Sequence, residues 1–305
     1  MLVLRGRFEN FVGHKRLHNP QKNRTAVDKK TAIIISASSD IGTAMSLRWL
    51  QRGWNMFGTY RTSSLAVEAL QSRGAELARC DLASPSSIRE SCVTLRNRCP
   101  AWDVLVLAPG SQEPIGNFME CAFDEWEQSV IINFSSQMRI VHELLPSRRL
   151  DRAHGPIVMF FAGGGTNNAT VGSSAYTISK IALIKMCELL DAEIPDTRFV
   201  IMGPGWVRTK IHDATLKAGV RAGANYNRTA EKLAGDEMTP IDHVLDFCDW
   251  VETQPRRLVS GRNFSIVFDS WGSEELANLL AGQPDVYKLR RHGNDLLVRS
   301  TMGRK

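Results

Sequence analysis

The residues of this chain best suited to chemistry are a tyrosine and a lysine four positions apart, Tyr176 and Lys180. They stand at the start of an apolar run that continues to Leu190 and favours a helix. Helical spacing of four places the two side chains on one face, one turn apart. A lysine ammonium near a phenol favours the phenolate and lowers the pKa of the tyrosine from its usual value of about 10. The pair is therefore suited to exchange a proton with an alcohol or a carbonyl, although the same spacing also occurs on solvated helix faces that have no function.

Short apolar segments alternate with helical segments after residue 30, and this alternation indicates what positions the pair. The strand segments are residues 31–35, 54–60, 75–80, 104–107, 157–161, 198–202 and 264–268. The helical segments are residues 41–50, 64–73, 86–98, 123–145 and 176–190. Buried strands that alternate with helices predict an α/β fold, a doubly wound, Rossmann-like parallel sheet with helices on both faces. We expect one such domain over residues 28–270, with a basic and flexible arm over residues 1–27 and an extension over residues 271–305.

The charge of the chain lies mainly at its two ends. The net charge is +6, yet residues 1–27 hold six basic residues and one acidic residue, and residues 284–305 hold six basic and two acidic residues. The part between them is therefore slightly acidic, and it contains no basic helix. A nucleic-acid site needs clustered basic residues, and they are lacking in this middle part. We therefore expect no specific nucleic-acid partner.

Cysteine spacing and hydropathy limit the class of protein further. No two of the six cysteines form a Cys-x-x-Cys pair, and no Cys/His cluster has zinc spacing, so we expect reduced thiols and no metal site. No apolar run approaches the roughly 20 residues that cross a bilayer. Arg5 and Arg7 closely follow the first apolar residues, unlike a signal peptide. The sequence therefore predicts a cytoplasmic protein without a membrane partner.

A turn of small residues follows the first strand, from Ser36 to Gly42. Parallel sheets bind ligands at the carboxyl ends of their strands, and the N-terminus of the next helix attracts phosphate. Only Gly42 in this turn is glycine, and Asp40 adds a carboxylate. The turn alone is thus a weak signal for a dinucleotide site.

Six motifs resemble, in order and spacing over about residues 30–270, those of the short-chain dehydrogenase/reductase superfamily, in its compact single-domain branch. They are the turn at residues 35–42, Asp81 after the third strand, the segment 104–110, Asn133 in the long helix, the pair Tyr176 and Lys180, and the segment 204–209. The resemblance implies an NAD(P)-dependent oxidoreductase that transfers a hydride between nicotinamide and a secondary alcohol or ketone. It also implies a homodimer or homotetramer, paired through helices 123–145 and 176–190.

The resemblance assigns roles residue by residue. Tyr176 supplies the proton, Lys180 lowers the pKa of Tyr176 and holds the nicotinamide ribose, and Asn133 anchors a water that links Lys180 to solvent. The implied cofactor-binding residues are Ser36, Ser38, Ser39, Ile41, Gly42, Arg61, Asp81, Leu82, Ala108, Gly110, Tyr176, Lys180, Pro204, Gly205, Val207 and Thr209.

Arg61 predicts which dinucleotide is bound. In this fold an acid at the end of the second strand binds the ribose 2′-hydroxyl, whereas an arginine accepts a 2′-phosphate. Here that end reads Thr-Tyr-Arg-Thr-Ser, with Arg61 and no acid. Arginine is well suited to bind phosphate through two hydrogen bonds. We therefore expect NADP(H) rather than NAD(H), the alternative being that Arg61 is an ordinary surface arginine.

The sequence departs from the family at three places. Ser36 and Asp40 replace two turn glycines; the serine costs little if its backbone angles are ordinary, and Asp40 is placed to cap the following helix. The segment 107–109 reads Leu-Ala-Pro where the family has Asn-Asn-Ala. The position of the family's catalytic serine falls on Gly163 or Ala162, and losing one such donor can cost about 10²–10³-fold in rate. Candidate replacements are Thr166, Ser173, Ser174 and the backbone N–H groups of residues 163–165.

These departures leave a second interpretation open, a catalytically impaired nucleotide-binding protein with a sensing or scaffold role. A third, a nucleic-acid binder with basic tails, is disfavoured by the acidic middle of the chain. Residues 210–240 resemble the family's variable substrate lid and are rich in polar side chains, His212 among them, which favours a polar or sugar-like substrate. The extension from Trp271 onward is expected to add a helix over the site or over a partner.

Overall fold

The computed structural model describes residues 29–292, so the predicted basic arm and the last residues of the extension lie outside the described residues. Seven parallel strands form one sheet in the order β3-β2-β1-β4-β5-β6-β7 within this range. The strands are β1 Thr31–Ile35, β2 Asn55–Tyr60, β3 Glu76–Arg79, β4 Val104–Leu107, β5 Ile157–Phe161, β6 Arg198–Gly203 and β7 Arg262–Ser265. The predicted doubly wound α/β fold is confirmed.

Helices cover both faces of this sheet. They are α1 Asp40–Gln51, α2 Leu65–Ser72, α3 Pro85–Arg98, α4 Phe123–Val130, α5 Ser136–Leu144, α6 Ser174–Glu193, α7 Asp213–Ala218, α8 Ala224–Ala234, α9 Ile241–Thr253, α10 Arg256–Val259 and α11 Glu274–Gly282. The predicted single helix over residues 123–145 is in fact α4 and α5 joined by one π-helical turn, Ile131–Ser135.

Alternation along the buried strands divides the core into two layers. In β1, Ala32 and Ile34 face one layer, whereas Ile33 and Ile35 face the other. The first layer contains Trp49 of α1, and the second contains the buried side chains of α3, α5 and α6. Helices bury both faces of the sheet, and the strands are continuous apolar runs because the side chains on each face must be apolar.

The last strand begins two residues earlier than the apolar pattern predicts. The segment 264–268 is apolar, but pairing with β6 begins at Arg262, and Ser265 is the last residue of β7. The Asp269 carboxylate accepts the Ser265 N–H at 2.7 Å and turns the chain away from the sheet. Phe268 is therefore 87% exposed instead of buried.

The predicted additional helix is present as α11, but it does not lie over the site. Leu276 and Leu280 pack into the core layer that contains Phe264, and α11 lies against α10. Arg262 donates from Nη2 to Leu280 O at 2.8 Å, and Asn263 donates from its backbone to the carbonyl of residue 287 at 2.8 Å. The extension thus closes the outer edge of β7. Within residues 29–292, no helix is long and apolar enough to cross a membrane.

Candidate active site

The turn after β1 is tightly built, and one of its residues has an unfavourable backbone conformation. Ser36 has φ +61°, so the condition under which serine costs little at this position is not met. Its N–H donates to Thr59 Oγ1 at 3.0 Å, which holds the turn against the end of β2. A Cβ at Gly42 would lie only 2.5 Å from the Ser36 carbonyl oxygen, so the turn requires glycine there. The close packing of this turn therefore requires glycine at position 42, and the turn holds Ser36 in a strained backbone conformation.

Replacing Ser36 with glycine is expected to stabilise the protein. The left-handed conformation destabilises an L-residue by about 1–2 kcal/mol, and glycine avoids this cost. The greater freedom of glycine in the unfolded chain offsets about 0.5–1 kcal/mol of the gain. Ser36→Gly should then raise the free energy of unfolding by roughly 0.5–1 kcal/mol in urea titrations. Ser38→Gly is the matched control, because Ser38 has no positive φ; it should lower the same quantity. Equal effects of both variants would contradict the assignment of strain to Ser36.

Helix α1 is capped by Ser39, and not by Asp40 as expected. Ser39 Oγ accepts the Gly42 N–H at 3.1 Å, and Asp40 is the first residue of the helix. The Asp40 carboxylate instead accepts the backbone N–H of Lys210 at 2.8 Å. A carboxylate at a helix N-terminus is electrostatically favourable. It also stands where the fold would place a phosphate.

Asn133 lies in the π-helical turn and is fully buried. Its Oδ1 accepts the Ser111 N–H at 2.9 Å, and its Nδ2 donates to Ser111 O at 2.8 Å and to Ser129 Oγ at 3.1 Å. The Asn133 carbonyl accepts Gln137 Nε2 at 2.8 Å. Single π-helical turns often occur at functional sites. The Asn133 side chain here holds the loop after β4 in place.

Tyr176 and Lys180 lie in the first two turns of α6, as the spacing predicts. Lys180 is buried, and its Nζ donates to Phe161 O at 2.9 Å and to Pro109 O at 3.5 Å. Its Nζ is also 5.6 Å from the centroid of the Tyr176 ring. Burial lowers the pKa of Lys180 to about 8 and raises the pKa of Tyr176 to about 12.

Lys180 does not lower the pKa of Tyr176 in this arrangement of the pair, and its role as the residue that tunes Tyr176 stays a prediction. Removing a phenol from water disfavours its charged form, and that effect exceeds the attraction of an ammonium that is engaged with two carbonyl groups. A fall in the pKa of Tyr176 would require Lys180 Nζ to leave these carbonyls and approach the phenol. The pair is brought together by the fold, but its proton chemistry depends on that rearrangement.

Gly163 is the residue on which Tyr176 and Lys180 both pack. A Cβ there would lie 2.7 Å from Tyr176 Cε1, 2.9 Å from Tyr176 Oη and 2.9 Å from Lys180 Cγ. The phenol thus occupies the space that a serine side chain would need, so the missing serine and the position of Tyr176 are matched. Of the proposed replacements, Ser174 Oγ accepts Trp126 Nε1 at 2.9 Å. The N–H groups of residues 163–165 donate to no other described residue.

The end of β2 presents arginines and no acid. Arg61 is exposed there. The Arg79 side chain donates from Nε to Arg61 O at 3.3 Å, because the register of β2 and β3 places Arg79 beside Tyr60. Sequence reasoning missed Arg79; parallel pairing of β2 and β3 was the signal that could have found it. Asp81 Oδ1 accepts the Ala83 N–H at 3.0 Å, and Leu82 O accepts Ser136 Oγ at 2.7 Å.

The remaining predicted residues line the same edge of the sheet. The Ala108 N–H donates to Ile35 O at 3.2 Å, which joins the ends of β1 and β4. Gly205 follows β6 with φ +73°, and a Cβ there would lie 2.5 Å from Val267 Cγ2. Val207 is buried, and Thr209 precedes a short 3₁₀ turn. His212 is not a solvated polar group of the lid; it stacks on Trp206 and bonds to Val207 O at 2.9 Å.

These residues fit a nicotinamide dinucleotide. The glycine-requiring turn and the N-terminus of α1 suit a pyrophosphate, the arginines at the ends of β2 and β3 suit a phosphate on the adenosine ribose, and Lys180 lies beside the loops after β4 and β5. Fold and site together define an α/β protein with a tyrosine–lysine pair at the carboxyl edge of its parallel sheet, the edge at which such sheets bind ligands.

Comparison with known proteins identifies the family. The family model of the short chain dehydrogenases matches residues 30–218. The chain belongs to the short-chain dehydrogenase/reductase family, which places it among NAD(P)-dependent oxidoreductases that act on small molecules.

Individual relatives are distant. The serine 3-dehydrogenase of Agrobacterium fabrum is 24% identical over 236 residues, which cover 75% of this chain and 90% of the relative. Oxidoreductase UcpA of Salmonella typhimurium is 25% identical over 194 residues, which cover 62% of this chain and 73% of the relative. Two solved structures share the fold. The KRED1-Pglu enzyme has a TM-score of 0.69 at 20% identity and covers 77% of this chain and 100% of its own. A single-residue variant of actinorhodin polyketide ketoreductase with NADPH has a TM-score of 0.68 at 18% identity, covering 78% and 95%.

Proposed function

We propose that this protein is an NADP(H)-dependent oxidoreductase that interconverts a secondary alcohol and a ketone. The observation that carries the proposal is the packing of Tyr176 and Lys180 on Gly163, at the edge of the sheet that holds the nucleotide turn. The bound cofactor supplies or accepts the hydride. Tyr176 Oη donates or accepts the matching proton, and such general acid–base catalysis typically contributes about 10²–10⁴-fold.

The cofactor would be held along the carboxyl edge of the sheet. The turn over residues 36–42 would bind the pyrophosphate through free N–H groups, and Asp81 with Leu82 would flank the adenine. Lys180 would bind the nicotinamide ribose after leaving the carbonyls of Phe161 and Pro109, and the segment 204–209 would flank the nicotinamide. Asn133 would keep the β4 loop in position beneath the ribose. These roles follow from the family pattern and from the positions described above.

The N–H groups of residues 163–165 would take over the work of the absent serine. These residues follow β5 closely, Gly163 packs on the Tyr176 phenol, and their N–H groups donate to no other described residue. Backbone N–H groups directed at an oxygen stabilise developing negative charge without a side chain. A substrate carbonyl between these donors and Tyr176 Oη would be polarised from both sides.

The preference for NADP(H) rests on two arginines at the adenosine end. Arg61 and Arg79 are both exposed, and the bond from Arg79 Nε to Arg61 O keeps them together. Residues 61–63, which follow β2, include no acid that would repel a phosphate. A 2′-phosphate would thus face two guanidinium groups.

Arg61→Ala is expected to raise the Kd of NADPH about 10–100-fold, because a hydrogen bond to a charged group contributes about 1.5–3 kcal/mol. The Kd of NADH should change by less than about twofold, since NADH lacks the 2′-phosphate. Titration followed by NADPH fluorescence measures both constants.

Arg73→Ala is the matched control, because Arg73 is exposed at the end of α2 and its side chain bonds to Ala69 O on its own helix. It should leave both constants unchanged. An unchanged NADPH affinity in Arg61→Ala, or an equal loss for NADH, would refute the proposed preference.

A polar substrate agrees with the lid side of the site. Thr215 Oγ1 donates to Gln112 Oε1 at 2.7 Å beside the β4 loop, and Arg228 lies 5.7 Å from the centroid of the Trp206 ring. Such groups suit a hydroxylated, sugar-like compound better than an apolar one.

Exposed apolar residues on α6, Ile178 and Leu189, support the proposal of a homodimer or homotetramer.

A second candidate function is nucleotide sensing without catalysis. The observation that favours it is Gly163 at the position of the family's catalytic serine, beside a half-buried phenol whose pKa is raised to about 12 and which is therefore a poorer proton donor than free tyrosine. Turnover of NADPH with a panel of ketones, sugars among them, separates the two functions. A protein that binds NADPH but reduces no member of the panel supports sensing.

A further inference from the structure

The segment after β6 closes over the nicotinamide side of the proposed site. The lid segment, residues 210–234, begins with the 3₁₀ turn Lys210–His212 and continues through α7 and α8. It is bonded to three loops at the carboxyl edge: to Asp40 through the Lys210 N–H, to Gln112 through Thr215, and to Val171 O through Asn225 Nδ2 at 2.8 Å. The lid segment therefore bridges the ends of β1, β4 and β5.

An apolar side chain of the lid segment, Ile211, lies beside Gly110, as Lys180 Nζ does. Ile211 Cδ1 lies 3.5 Å, and Lys180 Nζ 3.9 Å, from the point where a Cβ on Gly110 would stand. Lys180 meanwhile donates to Phe161 O and Pro109 O. A ribose that binds Lys180 would therefore approach the Ile211 side chain, because both residues lie beside Gly110.

The lid segment is held to the nucleotide turn by the carboxylate of Asp40. Asp40 Oδ2 accepts the Lys210 N–H from the first turn of α1, where the helix N-terminus favours negative charge. A pyrophosphate is attracted to the same N-terminus for the same reason. A carboxylate and a phosphate held at the same helix N-terminus repel each other, so a bound pyrophosphate would disfavour the present position of the Asp40 carboxylate.

The Lys210 side of the contact is accessible. An open cavity of about 300 Å³ adjoins it, lined by Asp40, Arg208, Thr209, Lys210, Asp213 and Leu233. Water and small anions can reach the Asp40–Lys210 bond from this cavity. The bond is thus a surface contact that a ligand can replace, and the buried parts of the fold need not open.

We propose that Asp40 is a latch that holds the lid segment closed with Ile211 beside Gly110, and that a dinucleotide opens the lid by displacing the Asp40 carboxylate from the Lys210 N–H. The inference rests on the proposed function for its ligand. Cofactor binding and lid opening are then one coupled equilibrium, and part of the binding free energy of the cofactor is spent on opening. Removing the latch should tighten cofactor binding without adding any contact to the cofactor.

Four variants test the latch. Asp40→Ala removes both the charge and the hydrogen-bond acceptor, whereas Asp40→Asn removes the charge and keeps an acceptor for the Lys210 N–H. Ile211→Ala shortens the side chain that lies beside Gly110 and leaves the latch intact. Asp213→Ala is the control, because Asp213 is an exposed acid of the same cavity without a bond to the turn.

The first measurement is the Kd of NADPH, with 2′,5′-ADP as a probe that lacks the nicotinamide half. Asp40→Ala should tighten NADPH binding about tenfold or more, Asp40→Asn by less, and Ile211→Ala about threefold to tenfold. Ile211→Ala should leave the affinity for 2′,5′-ADP unchanged, because that probe does not reach the ribose site of the nicotinamide. Asp213→Ala should bind both ligands like wild type. Equal tightening in Asp40→Ala and Asp40→Asn would overturn the latch, since charge alone would then explain it.

The second measurement needs no nucleotide. Trypsin cuts after Arg208 and Lys210, both exposed, and cleavage requires this segment to leave the turn. Asp40→Ala should be cut there several times faster than wild type, with Asp40→Asn between them. Equal rates in all three proteins would overturn the latch. If wild type binds neither NADPH nor 2′,5′-ADP, the proposed function fails and with it the role of the dinucleotide, while the order of the cleavage rates still decides whether Asp40 holds the lid.

Discussion

Tyr176→Phe is expected to lower kcat for reduction of an accepted ketone by about 10²–10⁴-fold and to leave the Kd of NADPH unchanged. The substitution removes only the oxygen that exchanges the proton. The ring, which packs on Gly163 and lies 5.6 Å from Lys180 Nζ, stays in place. Steady-state kinetics with the best substrate of the panel and a fluorescence titration of NADPH measure the two quantities.

Tyr226→Phe is the control for this variant. Tyr226 lies on α8 and is 39% exposed, so loss of its hydroxyl should change kcat by less than about threefold. Equal rates for Tyr176→Phe and wild type would exclude Tyr176 as the proton donor. A wild type that binds NADPH and turns over no ketone would favour the sensing function, in which case Tyr176→Phe should leave every measured property unchanged.

Lys180→Met is expected to abolish turnover and to change how stability depends on pH. Burial lowers the pKa of Lys180 to about 8 from 10.5, so the folded state releases this proton more readily than the unfolded state does. The penalty for burying the charge is fully present below pH 8, declines as the pH rises from 8 to 10.5, and is absent above that. Methionine fills a similar volume and carries no charge, so the variant lacks this penalty at every pH.

The measurable result is the difference in free energy of unfolding between Lys180→Met and wild type. The free energy of unfolding of the variant relative to wild type should fall by about 2 kcal/mol between roughly pH 7.5 and pH 9.5, since one pKa unit corresponds to about 1.4 kcal/mol. Comparing the two proteins at each pH cancels the titration of the buried cysteines. Lys185→Met is the control: Lys185 is 47% exposed on the same helix, and its variant should show no such change. A difference that does not vary with pH would show that Lys180 is not buried with a lowered pKa.

The positions along the chain of most elements, and the fold that they form, were predictable from the sequence. Continuous apolar strands such as 31–35 can be buried only between two layers of helices, and this local property determines the sheet. Errors arose where a tertiary contact overrode an apolar pattern. The exposed Phe268 belongs to a turn because the Asp269 carboxylate binds the Ser265 N–H. The long helix contains a π-helical turn at Asn133, whose side chain binds the β4 loop.

By itself, the sequence determined the parallel α/β fold, the place of Tyr176 and Lys180 on one helix face, and the turn that would receive a nucleotide. These depend on residue spacing within single elements. Only the tertiary structure decided the pKa shifts of the pair, the packing of the phenol on Gly163, the neighbourhood of Arg61 and Arg79, and the bond from Asp40 to the lid segment. Each of these depends on burial or on contacts between residues far apart in the chain, and no local pattern encodes such distances. The chemistry of Tyr176 and Lys180 is therefore suggested by their spacing, but it is set by what the fold packs around them.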